Sequence, residues 1–117
     1  MRVNEVSYTD ALPFEGYGPG FFRLGGAVHE GNLIVSDGGI RPWSGLDDAA
    51  TLTELAGRVD FVLLGTGAEI RPVPSAFRAA VEGAGIGIEP MATPSACRTY
   101  NVLLSEGRRM AAAVLAI

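Results

Sequence analysis

Asp60-Phe61-Val62-Leu63-Leu64-Gly65 is a continuous apolar run closed by a glycine. It is too short for a stable helix and lacks the polar alternation of a strand with one wet face. It therefore reads as a strand covered on both sides. Two helix–strand units follow it. Ser75 to Ala84 puts Phe77, Ala80, Val81 and Ala84 on one side; Pro72 and Pro74 introduce it, and Gly83 and Gly85 mark its end. Gly87-Ile88-Glu89-Pro90-Met91 reads as a weaker strand, and its proline belongs at a strand end or a sheet edge. A longer helix starts at Thr93. The threonine is the expected N-cap and Pro94 fits the first helical position. Ala96, Tyr100, Leu103 and Leu104 form its buried stripe, Cys97 sits at the edge of that stripe, and Gly107 ends it. Met110 to Ile117 is a second unalternating run, hence a central strand.

Such β-α-β-α-β alternation implies parallel strands joined by crossover helices. Upstream, Phe21–Leu24 and Ala27–His29 lead into Glu30-Gly31-Asn32 and then Leu33–Ser36, which predicts an N-terminal β-hairpin turning at Gly31-Asn32. Gly25-Gly26 is expected to be a bulge or bend within the first arm, and Asp37-Gly38-Gly39 ends the second. Thr51 and Glu54 have capping-box spacing ahead of a stripe of Leu52, Leu55, Ala56 and Val59, closed by Gly57. The expected whole is one three-layer α/β domain over residues 21–117, with a mixed, roughly five-stranded sheet. Residues 1–20, rich in Gly and Pro toward their end, read as an irregular lead-in.

Bulk properties narrow the function classes. A chain of 117 residues with 48% hydrophobic and 19% charged residues folds as one domain and falls outside the disordered class. A net charge of −4 provides no basic stripe, so nucleic-acid binding is not expected. All nine basic residues are arginine, the better fork for a carboxylate or phosphate. One cysteine excludes an internal disulfide, and one histidine argues against a metal site. Met1–Asp10 has no apolar core for a signal peptide, and the longest apolar run, Met110–Ile117, is far too short to span a bilayer. The expectation is a cytoplasmic protein with no membrane span, no metal and no cofactor.

The pattern Thr93-x-x-Ala-Cys-Arg-Thr-Tyr-Asn-x-Leu-x-x-Glu-Gly-Arg108, together with Leu64-Gly-Thr-Gly67 after the buried strand, resembles a small family of domains of unknown function. That family includes a mitochondrial complex I assembly factor and an adipogenesis-associated animal protein. The resemblance covers roughly Phe21 to Ile117. It implies a three-layer α/β fold with a mixed sheet, and an assembly role for the mitochondrial branch, but no chemistry.

Gly65-Thr66-Gly67 starts like a dinucleotide fingerprint, yet the third glycine position holds Ile70 and Pro72 interrupts the following helix. Its place at the end of a parallel strand still suits a ligand crevice whose backbone amides hold an anion. Arg98 and Asn101 lie on the polar flank of the last helix, and Arg71, Arg98 and Arg108 are candidates to converge near that loop. Cys97 reads as a buried structural thiol, since His29 lies on a distant hairpin. Trp43 reads as a lid over the core. No paired carboxylates, Ser-His-Asp set or P-loop is present, so no catalytic residue is assigned. Two readings stand. One is a non-catalytic accessory or assembly factor with a protein partner, docking through an exposed apolar patch near Trp43 or Phe21-Phe22. The alternative is a binder of a small anionic metabolite, or a minor enzyme, using Gly65, Thr66, Gly67, Arg98, Asn101 and Arg108.

Overall fold

The computed structural model describes residues 12–117. Along the chain run β1 (Phe14–Gly18), β2 (Phe21–Leu24), β3 (Ala27–Glu30), β4 (Leu33–Ser36), β5 (Gly39–Pro42), α1 (Ala49–Thr53), β6 (Phe61–Gly65), α2 (Ser75–Gly83), β7 (Gly87–Met91), α3 (Thr93–Leu104) and β8 (Met110–Val114). The strands form two sheets. One has five strands in the order β5-β4-β8-β6-β7; the other has three, in the order β1-β2-β3.

The larger sheet is mixed, as the sequence implied. β6 pairs in parallel with β7 and β8, whereas β4 pairs antiparallel with β5 and β8. β8 is central and wholly buried, and its Ala111-Ala112-Ala113 lets both covering layers come close. β7 is an edge strand, where Pro90 costs no ladder bond.

Because side chains alternate across a strand, the sheet carries two separate cores. On one face, Ile34, Val62, Leu64, Ala111 and Ala113 pack against Trp43, Leu52, Leu55, Phe77 and Val81, from the α1 and α2 side. On the other, Leu33, Val35, Leu63, Ala112 and Val114 meet Ala96, Cys97 and Tyr100 of α3 and Phe14, Phe22 and Leu24 of the small sheet. That second face is shared between a helix and a sheet. Phe14 links the two, with edge-on ring contacts to Phe22 at 5.8 Å and Tyr100 at 5.6 Å.

The first half departs from the predicted hairpin. Gly25 and Gly26, with φ of 59° and 78°, are the reversal itself and join β2 to β3, with Leu24 opposite Ala27. The Gly31-Asn32 pair instead carries the chain from the small sheet to the large one. Gly31 N donates to Gly20 O at 2.9 Å, and Asn32 Oδ1 accepts from Ala116 N at 2.8 Å. Both dipeptides tolerate positive φ, so local chemistry does not say which one folds the chain back. Asp37-Gly38 makes a further turn into β5, a strand whose terminal Gly39 and Pro42 conceal it in the sequence. Within the stretch read as an irregular lead-in, residues 14–18 form β1 and pair with β2. The alternating burial of Phe14, Gly16 and Gly18 against Glu15 and Tyr17 is the strand period, diluted by glycine. Residues 1–11 of that stretch lie outside the described residues.

α1 begins earlier than the capping box at Thr51 implied. Asp48 is the N-cap: it accepts from Thr51 N at 3.1 Å and from the Thr51 hydroxyl at 2.8 Å. These bonds hold the Asp48 carboxyl below its ordinary value of 3.8. Replacing Asp48 with Ala is expected to lower stability by about 1 kcal/mol at neutral pH, a typical value for a lost N-cap. With its folded pKa depressed, the carboxylate stabilises above the unfolded value of 3.8 and stops doing so as pH falls through the folded one. Denaturant melts of both proteins at pH 7 and near pH 3 are therefore expected to show the gap narrowing in acid.

Candidate functional site

At the carboxyl end of β6 the chain passes through Gly65-Thr66-Gly67, and α3 starts beside it. The two are tied closely. Thr93 N donates to Gly67 O at 2.7 Å, the Thr93 hydroxyl accepts from Gly67 N at 2.9 Å, and that hydroxyl donates to Leu115 O at 2.8 Å. Thr93 was expected to cap its own helix. Ala92 holds the N-cap position without a side-chain bond, and the fully buried Thr93 joins three segments instead. Leu115 N closes the circuit on Gly65 O at 2.9 Å.

This junction explains the first glycine. A Cβ on Gly65 would lie 2.9 Å from Thr93 Cα, a backbone atom that cannot swing aside, and 3.0 Å from Val114 Cγ1. Gly67 has φ of +106°, a region that favours glycine. Thr66 is buried between them. Its N donates to Met91 O at 2.9 Å, and its hydroxyl accepts from Arg71 N at 2.9 Å. The amides of Thr66 and Gly67, expected to face an anion, thus point at protein acceptors.

Asn101 is also engaged. Its Oδ1 accepts from Phe14 N and its Nδ2 donates to Phe14 O, both at 2.8 Å, so the side-chain amide mimics a neighbouring strand for β1. Arg98 is exposed and donates to Ser95 Oγ at 3.3 Å. Arg108 lies over the Phe61 ring, 5.0 Å from its centroid. Phe61 opens β6 and Gly65 closes it; at the rise of an extended strand those ends are roughly 13 Å apart. The fold therefore draws Gly65, Thr66, Gly67 and Thr93 together, and sets Asn101 against β1 and Arg108 at the far end of β6. In the sequence Thr93 carries only the signature of a cap, and nothing local marks Phe14 as the partner of Asn101.

Cys97 is 3% exposed, and burial pushes its thiol up to about 12, against a smaller opposing pull from Arg98. It is a structural thiol at neutral pH. Tyr100 is fully buried, its hydroxyl has no hydrogen-bond partner among the described residues, and burial, with a lesser contribution from Asp37, raises its pKa. Trp43 covers the core as expected, 6.1 Å from Phe77, with its Nε1 donating to Asp48 O at 2.8 Å. Trp43 and Phe22 are both buried, so neither supplies the exposed patch anticipated there.

Residues 14–115 match the family described as protein of unknown function (DUF498/DUF598). The chain belongs to that family. It is 51% identical over 115 residues to an uncharacterised protein of Rhodobacter capsulatus, spanning 98% of this chain and 93% of that one. It is 28% identical over 106 residues to the NADH dehydrogenase [ubiquinone] 1 alpha subcomplex assembly factor 3 of Danio rerio, covering 85% of this chain and 61% of the fish protein. Its fold superposes on the crystal structure of an outer membrane protein from Bartonella henselae with a TM-score of 0.84 and 32% identity, over 92% of this chain and 97% of the other. No helix among the described residues is long and apolar enough to cross a membrane.

Replacing Asn101 with Ala is expected to cost about 1–3 kcal/mol, because both polar groups of Phe14 lose their partner. Asp in its place keeps the acceptor but not the donor and falls between the two. Urea melts of the three proteins give the order. For Cys97, iodoacetamide at pH 8 is expected to modify the native protein far more slowly than the urea-unfolded chain, since labelling requires the thiolate; equal rates would contradict the burial.

Proposed function

We propose that this chain is a cytoplasmic, non-catalytic accessory protein that helps assemble or handle a larger protein complex. The observation that carries the reading is the use made of its most distinctive polar residues. Thr66, Gly67, Thr93 and Asn101 are engaged in holding the fold, and the cysteine is a buried, protonated thiol. A protein built this way acts through its surface. The relatedness to a complex I assembly factor supports the same reading, and the net charge of −4 favours a protein partner over nucleic acid.

The partner-facing surface we assign is the outer side of α3. Arg98 and Val102 stand one turn apart there, and Val102 is 59% exposed. The expected result of affinity purification of the tagged chain from its native cells is a stoichiometric protein partner. Replacing Val102 with Asp and Arg98 with Ala should abolish recovery while the melting temperature stays within a few degrees of the parent. Recovery of the chain alone, at low salt and at native expression level, defeats this reading.

A further inference from the structure

A cleft of about 380 Å³ opens on the α3 side of β6 and β7, where the helix does not reach the sheet edge. Its apolar lining is Phe61, Leu63, Met91 and Leu103, all but Leu63 partly exposed. Two charges of opposite sign border it, Arg108 and Glu89. The Arg108 guanidinium lies over the Phe61 ring, 5.0 Å from its centroid, a cation–π contact that favours its place at the rim of the cleft. Glu89 projects from β7 in register with Leu63, two residues along and one strand across from Phe61. That is about 8 Å between Cα positions at ordinary strand spacings. The two side chains form no ion pair with each other, and neither pairs with another charge among the described residues.

We propose that this cleft binds a small zwitterion with an apolar side chain, of the free α-amino acid class. The ligand's carboxylate meets Arg108, its ammonium meets Glu89, and its side chain lies on Phe61, Leu63 and Met91. The charge pattern selects the class. A simple carboxylate would face Glu89 without compensation, and a simple amine would face Arg108 likewise. The cleft lies within the size range of small-molecule sites, and an apolar floor with few polar groups is their usual composition.

The test is a titration of the ¹⁵N-labelled chain followed by NMR, with L-phenylalanine as probe. Its single-charge analogues, 3-phenylpropionate and 2-phenylethylamine, provide the comparison. Saturable shifts at Phe61, Met91, Leu103 and Arg108 are expected with phenylalanine, and binding of each analogue about tenfold weaker or more. Arg108→Ala and Glu89→Gln should each weaken phenylalanine by a similar factor. Both residues are exposed, so an unchanged spectrum elsewhere confirms that the variants fold. The proposal is overturned by an absence of saturable shifts, by an analogue binding as well as phenylalanine, or by variants that bind it unchanged.

Discussion

The hydroxyl of Thr93 holds the architecture at its most crowded point. One oxygen accepts from the loop after β6 and donates to the chain leaving β8, while the backbone of the same residue begins α3. Three elements can meet at one side chain only if the backbones approach closely, which is why Gly65 carries no Cβ. The bond from Gly67 N to the Thr93 hydroxyl is buried, so leaving it unmade would cost the desolvation of the orphaned amide. Packing thus accounts for the glycines of this loop, Gly65 by the close approach of Thr93 and Gly67 by its positive φ.

A second constraint governs the small sheet. It is covalently continuous with the rest through Gly31-Asn32, but its seat is set by Asn101 clasping the backbone of Phe14 and by the ring of Phe14 against Tyr100 and Phe22. α3 thus serves two partners. Its buried stripe packs on the large sheet, and the amide of Asn101 acts as a substitute strand for β1. Arg98 and Val102 lie on the surface of that helix that neither task uses.

The second half of the fold is legible in the sequence because each element there announces itself by period and punctuation. Phe61–Gly65 and Met110–Val114 are unbroken apolar runs, and α2 and α3 have stripes closed by glycine. The first half is not, because Gly25-Gly26, Gly31-Asn32 and Asp37-Gly38 are three competing turn signals within a few residues. Only the long-range pairing of β4 with β8 decides among them. The candidate site was read from residue type, which identifies Gly65, Thr66, Gly67 and Asn101 as unusual without saying what makes them so. Their partners, Thr93 and the backbone of Phe14, lie 26 and 87 residues away. No local pattern encodes such a pairing. The separation of Arg108 from the Gly-Thr-Gly loop follows once α3 is seen to run back along β6.

The place of β8 has a further consequence for how the molecule comes into being. It is the last strand in chain order and the middle one in the sheet, and β4 and β6 touch no common strand without it. During synthesis both of those strands wait with open edges until Met110–Val114 has emerged. The alanine-rich insert that finally joins them must therefore arrive before any other chain does. A fold closed by its final strand is slow by topology and vulnerable to strand pairing between molecules in the interval. Its edge proline in β7 and the proline ending β5 protect the finished protein, but they offer nothing to the interior edges that β8 fills.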